Sequence, residues 1–216
     1  MFFVAPSLLS MDMSRLTEEV ESLCQAGADF LHIDVMDGKF VPQTTAFTPE
    51  CVARIRKASS VPLDVHLMVQ DPLPMIDDYV QAGADNITIH VECQGDVGKT
   101  LQRIQQGKCL AGLSLKPQTE IQAILPYLFM LNRVLVMGVE PGRGGQVFMS
   151  NQLTKIRQLK ELKMSGRGFQ IEVDGGVNRQ TAPLIRTAGV DILVSGTYIL
   201  SAPDRARAIS LLRGYL

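Results

Sequence analysis

The feature that most constrains the fold is a short segment that recurs three times along the chain. Each copy has alanine, glycine, a further alanine or valine, aspartate and then an apolar run; the copies are Ala26–His32, Ala82–Thr88 and Ala188–Val194. A glycine just after an amphipathic stretch can take the left-handed conformation that ends a helix, and a β-rich apolar run after it is typical of a strand. The glycines of the copies lie 56 and 106 residues apart, and one eighth of the 216-residue chain is 27 residues. These spacings are close to two and four such units, so the repeat indicates eight successive β/α units.

The other units lie between these copies. Short runs rich in Val, Ile and Leu, as a parallel sheet covered on both faces requires, predict eight strands: Phe3–Pro6, Phe30–Asp34, Leu63–Met68, Asn86–His90, Ala111–Leu115, Arg133–Gly138, Gln170–Asp174 and Ile192–Ser195. Helical stretches, several with Asp, Pro or Thr at their starts, alternate with them: Asp12–Gln25, Pro49–Ala58, Pro72–Gln81, Val97–Gln106, Glu120–Pro126, Asn151–Lys163, Gln180–Thr187 and Pro203–Leu212. The alternation predicts a (β/α)8 TIM barrel, with a doubly wound sheet as the alternative. No linker or change in composition divides the chain, so we expect one domain over residues 1–216.

Charge and hydropathy exclude several kinds of partner. The net charge is −1, and a pI near 6.3 is far from the basic footprint of a nucleic-acid-binding protein, so no nucleic-acid partner is expected. The longest apolar stretch, Ala123–Leu131, is far shorter than the ~20 residues needed to span a bilayer, so no membrane partner is expected. The four cysteines form no C-x-x-C pair, which favours small buried residues in a reducing compartment. We therefore expect a soluble, cytoplasmic protein.

Titratable residues collect near the ends of predicted strands, where barrels of this kind carry their active sites. All three histidines of the chain lie there, namely His32, His66 and His90. His32 and Asp34 are two residues apart on one strand, so their side chains point to the same face. Asp174 ends the seventh predicted strand. Two imidazoles and two carboxylates at a barrel mouth suit a divalent metal such as Zn2+, Mn2+ or Fe2+, and solvated rim residues are the alternative.

Glycines follow the last three strands. They stand in the loop Pro141–Gln146 after strand six, at Gly175 and Gly176 after strand seven, and at Gly196 before Thr197 after strand eight. Glycine lets backbone N–H groups approach an anion closely, and the loops after strands seven and eight are the usual phosphate site of such barrels. The pattern favours a phosphate site over plain turns.

Together these residues resemble the ribulose-phosphate 3-epimerase family over nearly the whole chain. The segments that carry the resemblance are Ala5–Ser10, His32–Gly38, Phe40–Pro42, Asp64–Val69, Pro141–Gln146 and Glu172–Gly176. The resemblance implies a ribulose-phosphate-binding barrel that interconverts D-ribulose 5-phosphate and D-xylulose 5-phosphate. It also implies one divalent metal ion per subunit (Zn2+, Fe2+, Mn2+ or Co2+), a small phosphorylated ketose as substrate, and a homo-oligomer.

The same resemblance implies a role for each site residue. His32, Asp34, His66 and Asp174 would be metal ligands, and Asp34 and Asp174 would also be the acid/base pair on the two faces of an enediolate. The substrate would meet Ser7 and His66, and the reacting carbons would be lined by Met36, Met68 and Met137, for which core packing is the alternative. The phosphate would be bound by Gly144, Gly145, Gly175, Gly176, Gly196 and Thr197.

The chain also departs from the commoner family pattern. The departures are Lys39, Gln43, Thr48, Glu140 and Arg143, and the last two stand where Asn and Phe are usual. An acidic residue at the Glu140 position is found in hexulose-phosphate relatives, which makes a D-allulose 6-phosphate 3-epimerase the second hypothesis. A sugar-phosphate-binding barrel without catalysis is a third, which the complete His/Asp set argues against.

Overall fold

The computed structural model describes residues 2–164, 166 and 168–215, and its centre is one parallel sheet of eight strands. The strands are hydrogen-bonded in the order β1-β8-β7-β6-β5-β4-β3-β2. The two ends of that order meet where Ser7, just after β1, forms a parallel bridge with His32 of β2. The sheet is thus a nearly closed barrel. The predicted (β/α)8 barrel is confirmed, and the doubly wound alternative is wrong.

The strands are short and mostly buried. Their bounds are β1 Phe3–Pro6, β2 Leu31–Met36, β3 Leu63–Met68, β4 Asn86–His90, β5 Leu110–Leu115, β6 Arg133–Met137, β7 Gln170–Asp174 and β8 Ile192–Ser195. Most lie within one residue of the sequence prediction. The exception is β2, which was expected to stop at Asp34 and continues to Met36. It continues because all six of its residues pair in register with β3.

Helices cover the outside of the barrel between successive strands. Their bounds are α1 Leu16–Gln25, α2 Pro49–Ala58, α3 Ile76–Gln81, α4 Val97–Gln106, α5 Gln152–Met164, α6 Ala182–Ala188, α7 Thr197–Leu200 and α8 Arg205–Arg213. Single 3-10 turns, Met13–Arg15 and Leu73–Met75, precede α1 and α3. Side chains cap several starts: the Thr48 hydroxyl accepts the N–H of Cys51 at α2, and Asp96 accepts that of Lys99 at α4.

Two connections differ from the predicted helices. The fifth is a 3-10 helix, Ile121–Met130, with Pro126 inside it. Proline has no N–H to donate and its ring crowds the preceding turn, so a regular α-helix is unfavourable there. The short α7, which the sequence did not predict, lies between β8 and α8. In the described part of the chain, no helix has the length and apolar character needed to cross a membrane.

The alternation of side chains along the strands separates two environments. Leu63, Val65 and Leu67 of β3 are fully buried in the apolar core between sheet and helices. Asp64 and His66, which alternate with them, are equally buried on the other face, inside the barrel. The barrel interior is therefore polar and charged over part of its height, and that is where the site is built.

Candidate active site and metal centre

Four potential metal ligands meet inside the carboxyl end of the barrel. His32 and Asp34 come from β2, His66 from β3, and Asp174 is the last residue of β7. The register of β2 on β3 pairs Asp34 with His66, which sets them at one level. Each residue offers one ligand atom, and the four atoms all lie within 4.8 Å of one another. The structure thus brings together all four residues that the sequence assigned to a metal.

The donor set fits a divalent ion. Nε2 of His32 lies 3.3 Å from Oδ1 of Asp34 and 4.0 Å from Oδ2 of Asp174. This nitrogen is buried, and it has no hydrogen-bond partner among the described residues. A buried imidazole nitrogen left without a partner and facing carboxylate oxygens is a natural metal ligand. The alternative of solvated rim residues is wrong for His32 and His66, because both are fully buried.

His32 is the second residue of β2, so it lies further from the carboxyl end of the barrel than predicted. Below it are three buried charged residues, Asp64, Arg133 and Glu172. Its Nδ1 is 2.6 Å from Oδ2 of Asp64. The Arg133 guanidinium lies 2.8 Å from the other oxygen of Asp64 and 3.4 Å from Glu172. A carboxylate on the far nitrogen of a ligating histidine fixes its ring orientation and raises its basicity. We call Asp64, Arg133 and Glu172 the charged floor of the site.

Sequence reasoning assigned no role to the charged floor. Its signal was nevertheless present: Asp64 and Glu172 stand two residues before His66 and Asp174, so they point into the barrel from the same strands. Burial raises the pKa of Glu172 to about 8, with Asp64 adding to the rise and Arg133 opposing it.

The carboxyl groups of Asp34 and Asp174 have pKa values shifted in opposite directions. Burial disfavours charge on Asp34, but His32 and His66 outweigh it and hold the pKa of Asp34 well below its usual range. Burial raises the pKa of Asp174 to about 6, and the negative charge of Asp34 adds to the rise. The two pKa values therefore lie well apart, as those of an acid/base pair do.

Ser7 and three methionines complete the lower part of the cavity. The Ser7 hydroxyl donates to Oδ2 of Asp34 at 2.7 Å, so the end of β1 is tied directly to the ligand set. Met36, Met68 and Met137 are nearly fully buried and line the same cavity as Asp34. Their side chains place polarisable, apolar surface beside the two carboxyl groups.

The glycines form the upper wall of the cavity, which has a volume of about 270 Å³. All six residues that the sequence assigned to phosphate line it: Gly144, Gly145, Gly175, Gly176, Gly196 and Thr197. Gly176 has a φ of +69°, and a Cβ there would lie 2.4 Å from the backbone nitrogen of Phe148. Only glycine allows this close approach of two backbones.

The loop after β6 also brings two of the departures to this wall. Glu140 and Arg143 both line the cavity, and their backbone carbonyls accept the side-chain amide of Gln146 at 2.8 Å each. Lys39 is exposed beyond β2, where its N–H donates to Asp37.

The third histidine, His90, has a place that sequence reasoning did not specify. Its Nε2 lies 2.9 Å from Nε2 of His66, and its Nδ1 lies 3.1 Å from Oε2 of Glu92. Burial lowers the pKa of His90 to about 4, against the opposing effect of Glu92. The sequence signal for its contact with Glu92 was the spacing of two residues between them, which sets both side chains on one side of the chain.

The fold and the site together define a barrel enzyme with a buried His/Asp cluster, able to hold a metal ion, beneath a glycine-lined mouth. Comparison with known sequences specifies it further: the chain belongs to the ribulose-phosphate 3-epimerase family, whose model matches residues 3–200. A ribulose-phosphate 3-epimerase of Bacillus subtilis is 42% identical over 216 residues, 99% of each chain. That of Chlamydia pneumoniae is 40% identical and covers 98% of this chain and 94% of its own. The chain is therefore an isomerase of the epimerase type, and the resemblance seen in the sequence is confirmed.

Solved structures support the fold. KGPDC from Streptococcus mutans superposes with a TM-score of 0.76 at 15% identity, covering 99% of this chain and 96% of its own. A 3-hexulose-6-phosphate synthase superposes with a TM-score of 0.70 at 17% identity over the whole of both chains. At such low identity these likenesses concern the barrel alone.

Proposed function

We propose that this epimerase interconverts D-ribulose 5-phosphate and D-xylulose 5-phosphate by inverting C3, the carbon beside the ketone. The observation that carries the proposal is the meeting of Asp34 and Asp174, from separate strands of the barrel, around one His/Asp centre. Relatives at about 40% identity that bear this epimerase name support the substrate.

Inversion requires one acid/base group on each face of the reacting carbon. In one direction the Asp34 carboxylate takes the proton from C3, and the C–H electron pair becomes the double bond of an enediolate. Asp174 then gives its proton to the opposite face, and the roles reverse in the other direction. Each such group contributes about 10²–10⁴-fold to the rate. The Ser7 hydroxyl holds Asp34 in place through its 2.7 Å hydrogen bond.

His32, Asp34, His66 and Asp174 would hold one divalent ion per subunit, which we propose to be Zn2+, Fe2+, Mn2+ or Co2+. When bound, such an ion supplies Lewis-acid stabilisation of the negative charge that develops on the substrate oxygens. Met36 and the other two methionines offer no proton donor beside the planar intermediate, so protonation is left to the two aspartates.

We further propose that the glycine wall and Thr197 bind the phosphate. The glycines permit backbone N–H groups to approach an anion, and remote phosphate binding supplies energy that orients the reacting carbon. A single domain, a cytoplasmic location, assembly as a homo-oligomer and a substrate contact by His66 remain proposals from the sequence.

The test is turnover of purified enzyme on D-ribulose 5-phosphate and on unphosphorylated ribulose, with metal content measured alongside. We expect the enzyme to epimerise D-ribulose 5-phosphate, to lose activity after exhaustive chelation, and to regain activity when one of the four ions is added. The unphosphorylated sugar should react with a kcat/KM lower by several orders of magnitude. Full activity in demonstrably metal-free protein, or equal kcat/KM for the two sugars, contradicts the proposal.

A second candidate substrate, D-allulose 6-phosphate, is favoured by the position of Glu140 and Arg143 on the cavity wall. If these residues select the sugar, the double variant Glu140→Asn, Arg143→Phe should change the ratio of kcat/KM for the five- and six-carbon substrates. The matched control is Lys39→Ala, an exposed departure that does not line the cavity. An unchanged ratio in the double variant removes the support for the hexulose phosphate.

A further inference from the structure

A buried chain of contacts leads away from the metal centre and has no role in the proton transfers described above. It runs from Nε2 of His66 to Nε2 of His90 at 2.9 Å, and from Nδ1 of His90 to Oε2 of Glu92 at 3.1 Å. The other oxygen of Glu92, Oε1, accepts the backbone N–H of Lys116 at 2.8 Å. Lys116 directly follows β5, so the chain ends on a backbone donor that cannot reverse its role.

The direction of each hydrogen bond follows from the proposed metal site. The two nitrogens of His66 face different partners: Nδ1 lies 3.1 Å from Oδ1 of Asp34, and Nε2 is taken by His90. Nδ1 is therefore the nitrogen that can present a lone pair to an ion beside Asp34. A neutral His66 that ligates through Nδ1 carries its proton on Nε2. That proton can be donated only if Nε2 of His90 is an acceptor.

The tautomer of His90 follows from its two partners. A neutral His90 that accepts at Nε2 carries its proton on Nδ1, where the carboxylate of Glu92 is the acceptor. An ionised carboxylate has no proton to give, so it holds His90 in this tautomer. The reverse orientation would place an unprotonated Nδ1 against a carboxylate oxygen at 3.1 Å, two acceptors without a proton between them.

We propose that His90 and Glu92 are positioning residues that lock His66 in the tautomer with Nε2–H, so that its Nδ1 lone pair faces the metal. Outer-shell partners of a ligating histidine orient its ring and set its tautomer in this way. Here the partner is a second histidine, and the carboxylate acts one residue further out. The inference rests on the proposed metal site.

Phe40 protects this arrangement from water. Its ring lies against the His90 ring with the centroids 4.7 Å apart, and the Lys116 ammonium lies 3.8 Å from the centroid of the Phe40 ring. Both imidazoles, His66 and His90, are fully buried. With little competition from solvent, each ring nitrogen must find its partner within the chain.

The chain is well suited to a direct measurement, because it contains only three histidines. Protein labelled with 15N in the imidazole rings gives three pairs of ring nitrogens, which proton–nitrogen correlation spectra sort into protonated and unprotonated. The variants His32→Asn and His90→Gln assign the signals. In Zn2+-loaded wild type, where the ion lies between Nδ1 of His66 and Asp34, we expect His66 as the Nε2–H tautomer and His90 as the Nδ1–H tautomer.

Two disruptive variants and one rescue variant test the roles of His90 and Glu92 through Zn2+ affinity. In Glu92→Gln the amide oxygen is needed by the N–H of Lys116, so the NH2 group faces Nδ1 of His90 and opposes the required tautomer. His90→Leu removes the acceptor altogether, whereas the carbonyl of His90→Gln can restore it. We expect the Kd for Zn2+ to rise about 10–100-fold in Glu92→Gln and His90→Leu, and to recover in part in His90→Gln.

The matched control is Ser114→Ala, since Ser114 is buried and pairs with His90 in the register of β4 and β5. It should bind Zn2+ as wild type does. In Zn2+-loaded wild type, a His66 protonated on Nδ1 or a doubly protonated His90 overturns the inference. So does wild-type Zn2+ affinity in both Glu92→Gln and His90→Leu. Failure of wild type itself to bind any of the four ions would instead refute the proposed metal site.

Discussion

Replacing Asp174 by asparagine should separate the two faces of the proposed reaction. The asparagine side chain has nearly the shape of the aspartate but can neither take nor give the C3 proton. Loss of one acid/base group costs about 10²–10⁴-fold in kcat, which corresponds to about 2.7–5.4 kcal/mol of activation free energy. Asp34→Asn should lose more, because Asp34 also accepts the Ser7 hydroxyl at 2.7 Å and lies 3.1 Å from His66.

The informative assay is hydrogen exchange at C3 in deuterated water. Asp174→Asn retains the Asp34 carboxylate, so it should wash solvent deuterium into only the epimer whose proton faces Asp34. Asp34→Asn should label only the other epimer. Metal content must be equal in the two variants and wild type, since each substitution also changes a proposed metal ligand. The control is Asp78→Asn, the same change at an exposed position on α3, which should exchange and epimerise normally.

Two outcomes would refute this reasoning. Interconversion of the epimers at near wild-type rate by metal-loaded Asp174→Asn means that no proton passes through that carboxyl. Deuterium entering both epimers in the same variant means that one residue serves both faces.

Three further predictions concern the wall, the floor and acid stability. Gly176→Ala should raise KM for the phosphorylated substrate by about 10²-fold through displaced backbone, whereas Gly168→Ala, with nothing within 4 Å of the added carbon, should leave it unchanged in steady-state assays. Arg133→Met should lower the free energy of unfolding by about 3–5 kcal/mol in urea titrations, because it leaves buried carboxyl groups without their cation; an unchanged urea midpoint contradicts this. Burial opposes charge on Glu92, but hydrogen bonds from His90 and neighbouring groups lower its pKa from 4.5 to about 2. The Glu92 carboxylate therefore stabilises the fold fully above about pH 4.5, and this contribution is lost as the pH falls toward about 2. The difference in unfolding free energy between wild type and Glu92→Gln should shrink over that interval, and a constant difference excludes this role.

The sequence predicted most of the barrel because its signals are local. A glycine after an amphipathic stretch marks a helix end, and short β-branched runs mark buried strands, so neither needs knowledge of the neighbouring strand. The ligands on β2 could be paired by the same reasoning, since residues two apart on a strand share a face. The 3-10 helix in place of the predicted Glu120–Pro126 helix shows the limit: Pro126 signalled a disturbance, but not the form that the backbone takes instead.

The contacts that tune the site depend on strand register and could not be read from the chain. Arg133 lies close to Asp64 across 69 residues of sequence, and His90 meets His66 across 24. Each of these residues looks like an ordinary member of a buried strand until β3 is aligned with its neighbours. The resemblance to a family supplied the ligands and the glycine wall, but it carried no information about the partners behind them.

The closure of the sheet has a consequence for how the chain is made. β1 pairs with β8 along its length, whereas Ser7, just after β1, links it to β2 through the bridge with His32 and the hydrogen bond to Asp34. A ribosome has therefore synthesised nearly the whole chain before the first strand finds its main partner. Three of the four proposed metal ligands have been synthesised by residue 66, and the fourth follows 108 residues later. During synthesis the proposed ligand set therefore stays incomplete until β7 has been made and has joined the sheet.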